Sequence, residues 1–358
     1  MSLSIDIKTF QNQLNRVART QILKYPELTM KQRIKRVLKS IIKKEFYFKV
    51  DHYFWPNGLL AISLEYSHRL ENKEHDMKQL EEYYRRWFKD GMKIKNADYA
   101  INGYSLIYLY KLKRERKYLE AIEEIANYVS SLERAKDGSI PYRKNNGEKV
   151  FVDLLGLTCP FLARYSDLKQ NEEVLDLAIQ QLKNFLIKGM DPETGLPYHA
   201  YDANDGTKLG IIGWGRGVGW LFIGLVDTLE YIPDSHKDYY FIKNNLLKLV
   251  KIIVKYQTAE GGYTWQLQAK EGNFDSSATS MINYALVKGI MLKIIPESYL
   301  ENVMRDLNAL YKVSNKGLVY HSSGECRGLS MYPQKYENNP WAQGPTSSLV
   351  SILLKLEL

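Results

Sequence analysis

The sequence predicts an all-α fold, an (α/α)6 barrel in which six helical hairpins form two concentric rings. Three observations carry that prediction. Apolar, small-residue-rich segments alternate along the 358 residues with amphipathic, charge-rich segments of helical period. A turn motif, glycine followed closely by an aromatic residue, recurs between them. The long connections fall ahead of the apolar segments, which gathers them at one end of the molecule. An α-solenoid, the alternative, has more uniform repeats and no such asymmetry.

Taken in order, residues 1–25 supply an N-terminal helix packed on the barrel. Residues 31–45 read as the first amphipathic outer helix. The first apolar segment begins near Asn57 (NGLLAISLEYSHRL) and the second near Tyr99 (YAINGYSLIYLYKL). The third begins at Asp153 (DLLGLTCPFLARYSDL), the fourth at Gly215 (GRGVGWLFIGLVDTLEYI), the fifth at Ser276 (SSATSMINYALVKGIM) and the sixth at Gln343 (QGPTSSLVSILLKLEL). A helix buried on all sides is apolar or small all round, so these six form the inner ring. Amphipathic helices over residues 76–89, 117–132, 173–188, 237–256 and 297–310 complete the outer ring. Glycine turns at Asp137-Gly138, Thr194-Gly195, Glu260-Gly261-Gly262 and Lys316-Gly317 each lead into a short extended segment bearing Tyr142, Tyr198-His199, Tyr263 or Tyr320-His321. Nothing in composition marks a boundary, and residues 1–358 are expected to form a single domain.

Composition narrows the partners. The net charge of +9 suits an acidic ligand. The basic stretches have helical or turn contexts, with no zinc-finger or RNA-binding motif beside them, so no nucleic-acid partner is expected. No apolar run reaches the roughly 18 residues of a membrane span. The N-terminus lacks the apolar core of a signal peptide and predicts a cytoplasmic protein, a trimmed leader being the alternative. Cys159 and Cys326 give no disulfide framework and no metal-ligand spacing. No metal and no cofactor are expected. The 27 tyrosines and 6 tryptophans suit a groove that stacks on sugar faces, or simply a core.

The inner helices point their N-termini at the loop-bearing rim, where converging N–H groups favour an anionic ligand such as a carboxylate. Candidate residues sit at those helix starts: Asp98, Asp153, Trp214-Gly215-Arg216-Gly217, Asp275-Ser276-Ser277, and His199 in the segment before the fourth. Helix capping competes as an explanation for Asp98, Asp153 and Asp275. The whole set suits carboxyl-based sugar chemistry. Asp153, among Val152, Leu154 and Leu155, is placed to deliver a proton, with a second Asp to orient it. Arg216 is suited to pair with a substrate carboxylate, and Trp214, Trp220 and Tyr201 to stack on sugar rings.

These residues resemble those of the unsaturated uronyl hydrolases, glycoside hydrolase families 88 and 105. The resemblance runs from about Trp55 to the C-terminus. It rests most firmly on Trp214-Gly-Arg216-Gly-Val-Gly-Trp220, then on Val152-Asp153-Leu-Leu-Gly-Leu-Thr-Cys-Pro-Phe-Leu-Ala163, Leu196-Pro-Tyr-His199-Ala-Tyr-Asp202, Asp98-Tyr-Ala and Asp275-Ser-Ser-Ala278. It implies an (α/α)6 barrel that removes a 4,5-unsaturated uronic acid from the non-reducing end of lyase-generated acidic oligosaccharides. The family reaction hydrates the C4=C5 double bond. It further implies Asp153 as acid/base, Asp98 as the second carboxylate, and His199, Arg216 and Trp214 as substrate-binding groups. Trp220, Tyr201, Ser276 and Ser277 join them, and Arg143 stands where the family places a basic residue. Val218 and a short connection from Asp202 to Trp214 depart from the family pattern and bear on substrate identity. The rival readings are a sugar epimerase, for which His199 and His321 are the one plausible histidine pair, a polysaccharide lyase, or a non-catalytic carbohydrate-binding barrel.

Overall fold

The computed structural model describes residues 5–24, 30–43, 52–143 and 146–356. The inner helices are α3 (Trp55–Glu71), α5 (Ala100–Lys113), α7 (Asp153–Lys169), α9 (Gly215–Leu229), α11 (Ser276–Met291) and α13 (Pro340–Lys355). Each packs on the next, and α13 closes the ring against α3. The fold is the (α/α)6 barrel. Every residue of α9 is buried, as a helix enclosed on all sides requires.

The outer ring consists of α1 (Ile7–Leu23), α4 (Glu74–Lys89), α6 (Arg116–Ser131), α8 (Glu172–Lys188), α10 (Tyr239–Ile253) and α12 (Leu300–Lys312). These helices bury one stripe only. In α6 the stripe is Tyr118, Ala121, Ile122, Ile125, Ala126 and Val129, the three-and-four spacing of a helix face. One outer assignment is corrected. The N-terminal helix α1 is itself an outer-ring member, packed on α13, α3 and α4. Helix α2 (Met30–Lys43), expected in that place, exposes Met30, Ile34, Leu38, Ile41 and Ile42. Residues 44 and 45 of the expected helix lie outside the described residues.

The connections into the inner helices carry the short strands. Strands β1 (Lys149–Phe151), β2 (Tyr198–Asp202) and β3 (Lys208–Ile212) form an antiparallel sheet with Val150 opposite Tyr201 and Phe151 opposite Ala200. The register shifts between Tyr198 and Ala200, at His199, an irregularity that re-aims a side chain. Strands β4 (Ser314–Asn315) and β5 (Leu318–Val319) make a hairpin whose turn holds Lys316 at φ 49° and Gly317 at φ 83°. A Cβ on Gly317 would fall 2.3 Å from the Gln13 carbonyl carbon, so the α1–hairpin contact depends on glycine there. Strands β6 (Ser322–Ser323) and β7 (Tyr336–Glu337) pair at the base of a loop, residues 324–335, on the rim.

The barrel is not apolar throughout. Toward the ends of the inner helices away from the rim, Arg164 pairs with Glu65 at 2.8 Å, and Lys288 pairs with Asp227 and Glu230 at 2.6 Å each. Arg164, Glu65, Lys288 and Asp227 are all within 3% of fully buried. Each buried charge meets an opposite one, and the Tyr284 hydroxyl also donates to Asp227, the condition under which burial is tolerated.

Candidate active site

At the rim the N-termini of α3, α7 and α9 converge on a cavity of about 650 Å³. Helix α3 contributes Trp55, α7 contributes Asp153 and Leu157, and α9 contributes Arg216 and Trp220, with Trp214 as its cap. Strands β1 and β2 add Lys149, Phe151 and His199. The segment before β1 adds Tyr142, Arg143 and Asn146, and the 324–335 loop adds Glu325 to Leu329.

Asp153 is the first residue of α7 and makes no capping bond; Val152 holds the cap position. Its Oδ2 lies 3.2 Å from His199 Nε2. The other ring nitrogen of His199, Nδ1, lies 2.7 Å from the Tyr332 hydroxyl. Trp214, Phe151 and Tyr332 enclose the imidazole, with ring centroids at 4.5, 5.5 and 5.6 Å. The pair therefore has one face on the cavity and an aromatic collar behind.

Asp98 sits in a 3-10 turn (Ala97–Tyr99) leading into α5, buried behind Tyr142 rather than on the cavity wall. The Tyr142 hydroxyl donates to Asp98 Oδ2 at 3.3 Å. Burial, reinforced by the charges of Asp98 and Asp153, pushes that hydroxyl well above the usual tyrosine range, so Tyr142 stays protonated beside two carboxylates.

Arg216 is 2% exposed and stacks 4.8 Å over Trp214 and 5.6 Å from Trp341. One terminal nitrogen donates to Ser277 Oγ, Ser323 O and Ser323 Oγ, and the other to Gly324 O. Asp275 braces this cradle by accepting from both Ser277 Oγ and Ser323 Oγ. Arg216 thus fastens the loop after β6 to α9 and α11. Its hydrogen-bond partners are neutral oxygens and the Cys326 thiol, so its charge stands uncompensated by any carboxylate ion pair among the described residues. Four cationic side chains (Arg143, Lys149, Arg216, Arg327) against two carboxylates (Asp153, Glu325) line the cavity. An acidic ligand fits that balance.

The expected site residues are thereby sorted. Asp153, His199, Arg216, Trp214, Trp220 and Arg143 share the cavity. Tyr201 does not: it is fully buried, packs on Phe185 at 5.7 Å, and its hydroxyl is held by Asp137 and Ser139. Ser276 is buried off the cavity, its amide donating to His321 O. Ser277 reaches the site only through Arg216. His321 is exposed and lines no part of the cavity, which leaves the epimerase reading without its histidine pair. Sequence reasoning passed over Trp55, Tyr142, Phe151, Lys149, the Glu325–Leu329 stretch and Tyr332. The available signals were the glycine turn ahead of Tyr142 and the long connection ahead of the sixth apolar segment. Among the described residues no group of three or more His, Cys, Asp or Glu side chains is placed to hold a metal ion. No helix among them is long and apolar enough to cross a membrane.

The profile of Glycosyl Hydrolase Family 88 matches residues 15–354. The chain belongs to this family. The family 88 chain is 24% identical over 337 residues to the unsaturated rhamnogalacturonyl hydrolase YesR of Bacillus subtilis (strain 168), a match covering 90% of this chain and 96% of the relative. Its fold is shared with a possible GH105 member from Salmonella enterica serovar Paratyphi A, at TM-score 0.86 and 18% identity over 100% of this chain and 97% of the other. It is shared also with an unsaturated glucuronyl hydrolase specific for heparin, at TM-score 0.76 and 16% identity over 98% and 96% of the two chains. The family 88 membership makes this protein a glycoside hydrolase.

Proposed function

We propose that the enzyme removes a 4,5-unsaturated uronic acid from the non-reducing end of an acidic oligosaccharide by hydrating the C4=C5 double bond. The observation that carries the proposal is the Asp153–His199 pair facing a cavity whose charged side chains are predominantly cationic. YesR is named for the unsaturated rhamnogalacturonyl fragment, a substrate of this class.

In this reading Asp153 is the catalytic acid and base. Its proton passes to C4, leaving positive charge at C5 stabilised by the ring oxygen. The resulting carboxylate then takes a proton from water as the water oxygen bonds to C5. The hydrated sugar opens and releases its neighbour, and Asp153 ends as it began. Arg216 supplies the charge opposite the uronate carboxylate, while Trp55, Trp214 and Trp220 wall the sugar. Asp98 acts through Tyr142, holding its hydroxyl beside Asp153. His199 contacts the sugar and Asp153 together. Arg143 meets the acidic substrate at the mouth, and Ser277 supports Arg216.

The reading is tested with paired disaccharides that differ only in the C4=C5 bond, followed by mass spectrometry. Cleavage of the unsaturated member alone supports hydration. Equal cleavage of the saturated member indicates ordinary displacement at the anomeric carbon and removes the proposal.

A further inference from the structure

A tyrosine hydroxyl has one proton to give and two lone pairs to accept with. Three neighbours meet those sites at Tyr332. The Ile211 N–H, 3.4 Å away, can only donate. The Leu329 carbonyl, at 3.3 Å, can only accept. His199 Nδ1, at 2.7 Å, is able to do either. Once Ile211 takes one lone pair and Leu329 takes the proton, the hydroxyl has a single lone pair left for His199. In that arrangement Nδ1 carries the hydrogen. Burial pushes the Tyr332 hydroxyl up to about 12, so it keeps its own proton at neutral pH.

The consequence lies on the other side of the ring. A neutral imidazole protonated on Nδ1 presents a bare Nε2, here 3.2 Å from Asp153 Oδ2. That gap accommodates one proton, shared by the pair. The opposite tautomer would aim an N–H at Asp153 and stabilise the carboxylate, the form unable to protonate C4. We propose that Tyr332 is a positioning residue that fixes the proton of His199 on Nδ1, so that Nε2 meets Asp153 bare and accepts a hydrogen bond from its acid form. The consequence for turnover rests on the function proposed above; the placement of the histidine proton does not.

Other charged and titratable groups face the pair: Arg216 from α9, Lys149 from β1, Tyr142 from the segment before β1, and Glu325 and Cys326 from the loop that carries Tyr332. Burial also pushes the Cys326 thiol up to about 12. The two tyrosines and the thiol therefore hold their protons across the neutral range. The loop is itself anchored through Gly324 O on Arg216, so Tyr332 reaches His199 only when the loop is seated.

The test is nitrogen-15 NMR of histidine-labelled full-length enzyme, with His199→Gln to assign the resonance, beside kinetics of Tyr332→Phe. Wild type is expected to show His199 protonated on Nδ1, and Tyr332→Phe to move the proton to Nε2. The variant should lower kcat at least about tenfold at neutral pH with KM within twofold. An unchanged melting temperature separates this from a packing defect. A bare Nδ1 in wild type overturns the proposal, as do a spectrum and kcat unchanged in Tyr332→Phe. Should Tyr332→Phe fail to fold, the wild-type spectrum alone decides. An Nδ1-protonated wild type that turns over no unsaturated uronide supports the tyrosine's role while removing the proposed function.

Discussion

Three aspartates stand near inner-helix starts, and their surroundings give them different roles. Asp275 caps α11, accepting from the Ser277 amide at 2.9 Å and bracing the Arg216 cradle. Asp153 sits one position later relative to its helix, at the first turn of α7, and turns its carboxyl to His199. Asp98 lies in the turn before α5 and faces Tyr142. Capping thus explains one of the three. Arg216 carries the clearest prediction at this scale. Lysine has a single nitrogen and cannot reach Ser277, Ser323 and Gly324 together while keeping charge on the cavity. Arg216→Lys should lower kcat/KM by roughly 10- to 100-fold, about 1.4–2.8 kcal/mol, read from initial rates at low substrate. What sequence shows of a residue is its place at a helix start, and Asp153, Arg216 and Trp214, so placed, line the cavity. It does not show which way a strand residue points across an irregular register, so Tyr201 was expected in the cavity and His199 and Tyr201 were not distinguished. Tyr332 lies in a loop without periodicity, where no spacing argument reaches it.

The elements were more legible than their packing. The inner helices begin where apolar, small-residue segments begin, because a helix enclosed on every side has no wet face to interrupt the pattern. The outer ring was harder. Helices α1 and α2 are both amphipathic, and periodicity alone does not say which one the α13–α3 seam takes. Closure of the ring decides it: α1 lies across that seam and ties its two members through Asn15 on Ser67 of α3 and Ser347 on Asn15 from α13. Small residues set how closely the inner helices approach. A Cβ on Gly156 of α7 would lie 2.7 Å from the Trp220 carbonyl oxygen and 2.5 Å from its ring. Backbone on α9 cannot yield as a side-chain tip does. Gly156→Ala should therefore destabilise by about 1–3 kcal/mol, measured by urea unfolding, and should impair activity because Trp220 walls the cavity.

At the scale of the whole molecule the barrel has two unlike ends. Arg164 lies eleven residues beyond Asp153 on α7, about 17 Å along the axis at 1.5 Å per residue. At that depth the charges of Glu65, Asp227 and Glu230 are balanced by Arg69, Arg164 and Lys288, three against three. At the rim, by contrast, cations outnumber carboxylates and face the cavity. This division was hidden in the sequence, where the inner helices read as apolar or small all round. A charge inside such a helix looks like an interruption until its partner on another helix is known. The chain's net charge of +9 pointed to an acidic ligand, and the cavity lining carries an excess of two cationic side chains.

The central claim is that Asp153 drives loss of the C4=C5 double bond. The most direct measurement is ultraviolet absorbance of that bond during incubation with a panel of lyase-generated oligosaccharides, wild type beside Asp153→Asn, both checked for the same melting temperature. Wild type is predicted to remove the absorbance of at least one acidic fragment, and Asp153→Asn to slow that loss by roughly 10²- to 10⁴-fold. Undiminished loss of absorbance in Asp153→Asn would contradict the assignment of the acid, and a rise in absorbance with wild type would make the enzyme a lyase.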